Sequence, residues 1–387
     1  MSGHDIGYVT GASGSFSLAN QNMVEKIRDL VTATTRGTAS FTGSGLNDCA
    51  AGGTYTGLVD RTYRVQIDLA DTVDTFKWSK DGGVTWTAED VAITGAAQEL
   101  ENGVTVTFTA TTGHTLNDYW EVACTSQGWT VLRYEQGEVD GNHRLILKGC
   151  GLTGAEEIFV GFIAYHNADA DYYNIGVMAC TGYVAENSYN TQPNAFTSGI
   201  PANNNRIDYW VTWNSQRIAI AMKVDTPVYE SGYVGKFLPY ARPSQFPYPI
   251  CCGGMLSGHA ATRSSDTSHS IPFKGNRANF KMRTLAGTWY QAYTMPWGDV
   301  WITCGASTQI TPSPSAAMRD TGGEYHLTPV ELYEPSANLF GALDGIYHIT
   351  GFNSAVENTV TIGGKTYVII QDVWRTGFLD YYAMRLD

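Results

Sequence analysis

Few residues in this 387-residue chain stand at the spacings that catalysis or metal binding requires. A serine nucleophile on a strand-to-helix elbow needs Gly-x-Ser-x-Gly. The nearest sequence, Gly11-Ala-Ser-Gly-Ser15, has the wrong spacing and precedes any expected strand, so it reads as a turn or linker. Asn167-Ala-Asp169-Ala-Asp171 sets oxygen-bearing side chains at alternate positions, as a calcium loop does. Tyr172 stands where the loop's sharp turn needs glycine, and Met178 where a bidentate Glu is needed, so a solvated turn is the better reading. The eight histidines do not fall at zinc-ligand spacing. His259 and His269 lie in a Ser/Thr/Gly-rich stretch near Asp266, while His326 and His348 are isolated; all read as satisfied or surface histidines. Any fold can bring two carboxylates together for glycoside hydrolysis. Glu156-Glu157 at the head of an apolar run and Glu138/Asp140 in a turn do not suggest such a pair.

The seven cysteines, Cys49, Cys124, Cys150, Cys180, Cys251, Cys252 and Cys304, form an odd set without C-x-x-C spacing. Buried free thiols in a reducing compartment are expected. Cys251–Cys252 is a poor disulfide pair because adjacent Cβ vectors diverge.

Composition narrows the class further. The formal net charge of −13 and the lack of any Lys/Arg run argue against a nucleic-acid partner. The most apolar stretch, Ile218–Val224, is far shorter than the ~20 residues that span a bilayer, so no membrane insertion is expected. The start, Met-Ser-Gly-His-Asp, lacks the charged-then-apolar plan of a secretory signal. Hydrophobic residues at 43% permit a sizeable core, while charged residues at only 16% leave neutral polar and aromatic faces suited to protein contacts.

One stretch has helical period. Between Asn20 and Thr34, Met23, Ile27, Leu30 and Val31 form a stripe, with Ser17 or Asn20 as candidate caps and Arg36-Gly37 as a stop. Strand patterns follow. Ile218, Ile220, Met222 and Val224 alternate with Ala219, Ala221 and Lys223, and Glu157–Tyr165 is a near-continuous apolar run fit for a central strand. Thr359–Ile362 and Lys365–Ile370 flank Gly363-Gly364, a tight hairpin signal. Between Thr54 and Thr125 the pattern predicts strands Tyr55–Leu58, Thr62–Asp68, Thr75–Ser79, Val84–Thr87 and Val104–Ala110. A second hairpin is expected at Asp81-Gly82-Gly83, with Trp78 and Trp86 as a cross-strand pair. Glycine-rich flanks at Gly43-Ser-Gly45, Gly52-Gly53 and Gly128 suggest a small inserted β-domain, residues 49–125, in a discontinuous host, residues 1–48 and 126–387.

Aromatic residues are the surplus. Tyr233, Phe237, Tyr240, Phe246 and Tyr248 interleave with Pro239, Pro243, Pro247 and Pro249, which exclude a regular ladder. A rigid extended loop is expected, with Phe237, Tyr240, Phe246 and Tyr248 as candidate interface residues for a protein or sugar; a loop packed over its own core is the alternative.

Several segments together resemble a family of tailed-bacteriophage virion proteins described as structural or tail-associated. They are Glu156-Glu-Ile-Phe-Val-Gly161, Ala170-Asp-Tyr-Tyr-Asn174, Phe237-Leu-Pro-Tyr-Ala-Arg-Pro-Ser-Gln-Phe-Pro-Tyr-Pro249 and the run Glu357 to Gly377. Asp74-Thr-Phe-Lys-Trp-Ser79, Asp81-Gly-Gly83 and Asn102-Gly-Val-Thr-Val106 resemble a small β-module common in phage and bacterial surface proteins. The resemblance implies no catalytic residues and no cofactor. The expectation is therefore a mainly β protein, with a β-sandwich or jelly-roll-like host, one short N-terminal helix and an inserted β-domain. It is expected to be a non-enzymatic virion part in the tail or baseplate, partnered by other virion proteins and by copies of itself in a symmetric ring. A surface-binding module for a receptor or host-surface glycan, or a capsid decoration, is the alternative reading; a cell-envelope glycan hydrolase is the weakest.

Overall fold

The structure, a computed structural model, describes residues 2–137, 142–225, 227–240, 249–258, 269–284, 286–297, 325–334, 338–349, 355–377 and 379–387. Antiparallel ladders dominate, with a single α-helix among the described residues, Ala19–Thr32. The mainly β, sandwich-like expectation holds. The described chain divides into two compact units, one of Thr32–Gly128 and one joining Ser2–Val31 to Trp129–Asp387.

The larger unit is a stack of three sheets. Its central sheet has seven strands in the order Ser2–Thr10, Arg206–Asn214, Arg217–Asp225, Val228–Lys236, Ile250–Gly253, Phe280–Arg283 and Trp289–Gln291. Side chains alternate across a strand, so one sheet can serve two cores. Ile218, Ile220, Met222 and Val224 enter one core, with Met23, Val24, Ile27 and Val31 of the helix. The same core takes Leu145, Val160, Phe162 and Val177 from a five-stranded sheet, ordered Trp129–Gln136, His143–Gly149, Ile158–Asn167, Tyr172–Cys180 and Phe196–Ile200. Ala219, Ala221, Tyr233 and Phe280 face the other way and meet Leu332, Ile346, Val368, Ile370 and Met384. These belong to the third sheet, ordered Tyr293–Met295, Thr328–Glu334, Asn338–His348, Tyr381–Arg385, Lys365–Gln371 and Thr359–Ile362. Each fully buried aliphatic or aromatic side chain contributes about 1.5–3 kcal/mol, so two cores give ample drive. The apolar run of Ile158–Asn167 is the middle strand of its sheet, as its pattern implies. Gly363 and Gly364 make the expected hairpin turn, with φ of 57° and 74°.

A sheet covered on both faces must satisfy its own polar side chains. Arg217, 1% exposed, donates from Nη1 to Thr212 Oγ1 at 2.6 Å, and its Nε lies 3.5 Å from Asp344 Oδ2. Asp344 also accepts from Asn214 Nδ2 at 2.6 Å and from Arg385 Nη2 at 3.2 Å, which ties the central sheet to the third. Lys236 Nζ meets Glu156 Oε2 at 2.9 Å and ties it to the five-stranded sheet.

Some details of the helix and N-terminus differ from the sequence reading. Asn20 is no cap; it lies inside the helix, fully buried, and donates to Tyr165 O at 3.0 Å. A strand, Ser2–Thr10, precedes Gly11, because Arg206–Asn214 offers it a full ladder that its own Gly-rich composition does not announce.

The smaller unit pairs two sheets over Tyr63, Val65, Phe76, Val106, Phe108 and Trp120. It begins at Thr32 and not at residue 49, because Thr34–Arg36 and Ser40–Thr42 both pair with Tyr119–Ser126. Gly43-Ser-Gly45 is accordingly no linker; the Ser44 and Gly45 amides donate to the Asp118 carboxylate at 3.1 and 2.7 Å. The expected strand Tyr55–Leu58 is a loop, with Cys49–Gly53 forming the strand instead. The Asp81 hairpin is also corrected. Thr75–Ser79 pairs with Ala88–Ala92, so Trp78 faces Ala88, while Trp86 lies under the Lys77 ammonium at 4.2 Å. Hydrogen bonds from Ser79 and Thr85 hold the Asp81 carboxyl well below the usual range, and they widen the turn into a loop.

Val31 and Trp129, on either side of the smaller unit, belong to one core. Replacing residues 33–127 with a short Gly/Ser linker should therefore leave a soluble chain with a cooperative β-type melt, shifted by no more than about 5 °C. Circular dichroism on the deleted chain checks this; an insoluble or gradually melting product would refute independent folding of the larger unit.

Candidate functional site

A group of titratable side chains gathers where Val228–Lys236 of the central sheet meets the end of Lys365–Gln371. Glu230, in Val228–Lys236, is fully buried, and its Oε1 stands 2.6 Å from Nε2 of His269. The residues after His269 turn to Asp372, at the end of Lys365–Gln371. Ser270 Oγ donates to Asp372 Oδ2 at 2.6 Å, Ile271 N to Oδ1 at 2.8 Å and Lys274 Nζ to Oδ2 at 2.8 Å. Arg375 Nη1 lies 3.3 Å from the same carboxylate, and Lys274 also reaches Asp380. A backbone bridge between Tyr229 and Val373 holds Asp372 beside the central sheet.

Burial and charge pull these groups in different directions. Burial would raise the Asp372 carboxyl, but the charge and hydrogen bond of Lys274, the Ser270 hydroxyl and Arg375 hold it below its usual range. For Glu230 burial wins: it pushes the carboxyl up to about 7 although His269 draws it down. Burial, aided by the Lys274 charge, pushes the His348 imidazole down to about 4. A carboxyl poised near neutrality against an imidazole is the raw material of general acid–base chemistry. Here Glu230 is 0% exposed, and a substrate has no access to it in this conformation. Its Oε2 and the His269 Nδ1 have no hydrogen-bond partners among the described residues. The arrangement is a buried hydrogen-bonded clamp between segments 39 residues apart.

The smaller unit carries a second clamp. His114 is buried, with Nδ1 2.8 Å from Asp74 Oδ2 and Nε2 2.9 Å from Asp48 Oδ1. Asp48 and Asp74 each precede a strand of a different sheet, so the ring joins the two layers. Burial pushes the Asp74 carboxyl up, but bonds from the His114 backbone and ring hold it below its usual range. Both ring nitrogens are occupied by carboxylates, which leaves neither for a substrate.

The described residues among those singled out from the sequence do not assemble into one site. Phe237 is a correction: at 2% exposure it belongs to the core with Tyr233 and Leu343 and is no free interface residue. The reason is backbone pairing, since Leu238-Pro239 ladder with Gly341-Ala342 despite the proline, whose missing donor is tolerated in so short a strand. Tyr240 is 56% exposed, and its hydroxyl donates to Glu331 Oε1 at 2.6 Å. Phe246 and Tyr248 lie outside the described residues, as do His259, Asp266, Cys304, Glu138 and Asp140. Asp169 and Asp171 are exposed at the tip of the 158–180 hairpin, where Asp171 takes a positive φ of 57°. The six described cysteines are buried. Burial pushes the Cys49 and Cys180 thiols up to about 12 and raises Cys251 and Cys252 as well, so they are poor nucleophiles.

One open cleft, about 420 Å³, lies on the outer face of the third sheet, lined by Tyr325, His326, Tyr347, Lys365 and Tyr367. Tyr347 and Tyr367 meet edge to face at 5.5 Å. Sequence spacing gave no hint of it, because its walls come from three separated segments. No family model matches the chain, and no curated protein matches it in sequence.

The Glu230 clamp has a measurable pH signature. A carboxyl raised from 4.5 to about 7 contributes stability that is complete below pH 4.5 and lost as pH rises through 7. Glu230→Gln should therefore gain on the parent protein between pH 5 and pH 8, by about 1–3 kcal/mol. The opposite trend from His348 is common to both proteins and cancels in the difference. Chemical denaturation at several pH values reads it, and parallel stability curves would contradict the assignment.

Proposed function

We propose that this chain is a non-enzymatic structural component of a tailed-phage particle, in the tail or baseplate, that works by protein–protein assembly. The observation that carries the reading is where the segments that resemble phage proteins fall: three of the four tie layers of the larger unit together. Glu156 pairs with Lys236, and Phe237 fills the core between the central and third sheets. Glu357 accepts from Lys223 Nζ at 2.7 Å and from the Tyr229 hydroxyl at 2.5 Å. Asp372 gathers Ser270, Lys274 and Arg375. Segments that tie layers together suit a scaffold, whereas the distinctive residues of an enzyme converge on a cleft. A rigid body suits assembly, because little ordering entropy is lost when it docks.

The tyrosine-lined cleft favours a second reading, contact with a host-surface glycan, since aromatic walls with flanking Lys and His suit sugar rings and hydroxyls. Tyr347→Ala should then cut retention on envelope polysaccharide about tenfold without unfolding the chain; equal retention removes this reading. For the first, mass spectrometry and electron microscopy of purified particles should find the chain at a symmetric position in fixed copy number. Particles that lack it, while the chain is abundant in the producing cells, would refute the structural role.

A further inference from the structure

The strand Ser2–Thr10 ends the central sheet, and its ladder with Arg206–Asn214 runs unbroken from Ser2↔Asn214 to Thr10↔Arg206. Its other edge pairs with no strand among the described residues. Sheet proteins commonly guard such an edge with Pro, Lys or a bulge. Here the nine residues contain no Pro or Lys, and the ladder has no bulge.

The strand's two faces differ in kind. On the inner face Asp5 accepts from the Tyr209 hydroxyl at 2.7 Å and lies 3.2 Å from Lys26 Nζ, so its charge is spoken for. Trp213 lies over Gly3 and Tyr209 over Gly7, where a Cβ at either glycine would collide with the ring. On the outer face stand His4, Ile6 and Tyr8, with Ile6 46% and Tyr8 56% exposed. Ile6 is directly opposite the buried Trp210, so the apolar stripe continues the core to an open margin. The Arg206 guanidinium, 4.2 Å from the Tyr8 ring centre, caps one end.

We propose that a second copy of this chain occupies this edge, its Ser2–Thr10 running antiparallel to the first about a twofold axis at Ile6. The sequence Ser-Gly-His-Asp-Ile-Gly-Tyr-Val-Thr complements itself in that register. Ile6 faces its symmetry mate, His4 faces Tyr8 of the other copy and Asp5 faces Gly7; Ser2 lies opposite Thr10, where the ladder stops because the Thr10 N–H and C=O already bond Ser13 Oγ and Asn22 Nδ2. The outer stripe thus doubles into an Ile pair flanked by two His–Tyr pairs, the kind of cross-strand contact that stabilises sheets. Parallel pairing in register would set Asp5 beside Asp5, with like charges adjacent, so the antiparallel arrangement is selected. The contact is isologous and merges two central sheets into one. It is a property of the isolated chain and goes beyond the virion reading, which it neither needs nor tests.

Sedimentation of the full chain over about 1–100 µM should show a monomer–dimer equilibrium. Ile6→Lys, which sets two ammonium groups against each other at the axis, should weaken it at least about tenfold and leave the melting temperature of the dilute monomer unmoved, since Ile6 is half exposed. Ile6→Cys should form a disulfide-linked dimer under mild oxidation beyond the parent's background, whereas Ser2→Cys, opposite Thr10, should not. A monomer throughout this range would overturn the proposal. So would a dimer that Ile6→Lys leaves intact, or one in which Ile6→Cys fails to cross-link.

Discussion

Desolvation of the central sheet on both faces is the constraint on which the larger unit rests. Arg217–Asp225 and Val228–Lys236 are buried almost throughout, so each polar side chain in or beside them needs a partner, and the partners come from the outer layers. Arg217 and Asn214 reach Asp344, Lys236 reaches Glu156, and Ser231 shares a hydrogen bond with Tyr382 at 2.8 Å. Apolar packing is nondirectional and would tolerate sliding of one sheet over another. These directional ties fix the register of the layers, and removing one partner would strand a buried charge at a cost of about 3–5 kcal/mol.

The same logic accounts for chemistry that looks catalytic in isolation. Glu230 with His269, and His114 between two aspartates, have the distances of acid–base pairs, yet each is buried and ties separate segments together. The perturbed carboxyl of Glu230 follows from its place in a dry layer, and perturbed groups arise in structural networks as well as in active sites. The free surface shows another character, with Tyr8, Tyr240 and the tyrosine-lined cleft offering neutral aromatic area.

What the sequence made legible follows period and composition. The helix stripe, the split of Ile218, Ile220, Met222 and Val224 from Ala219 and Ala221, the middle strand from Ile158 and the Gly363-Gly364 hairpin all rest on local patterns, and the structure has them. Ser2–Thr10, Thr34–Arg36 and Ser40–Thr42 were not legible, because they are polar or glycine-rich strands defined by the partner they pair with. Phe237 misled for a related reason: proline marks a break in a ladder but says nothing about burial of the preceding side chain. The Glu230–His269–Asp372 group joins residues far apart in sequence, and their spacing carries no trace of the meeting.

Native-state hydrogen exchange tests the central claim most directly. If the doubly buried sheet holds the larger unit together, the amides of Arg217–Asp225 and Val228–Lys236 should exchange last, with an opening free energy equal to that of global unfolding. The Thr359–Gln371 hairpin and the Ser2–Thr10 edge should open earlier. Exchange of the central strands at the same rate as that hairpin, or before it, would contradict the account.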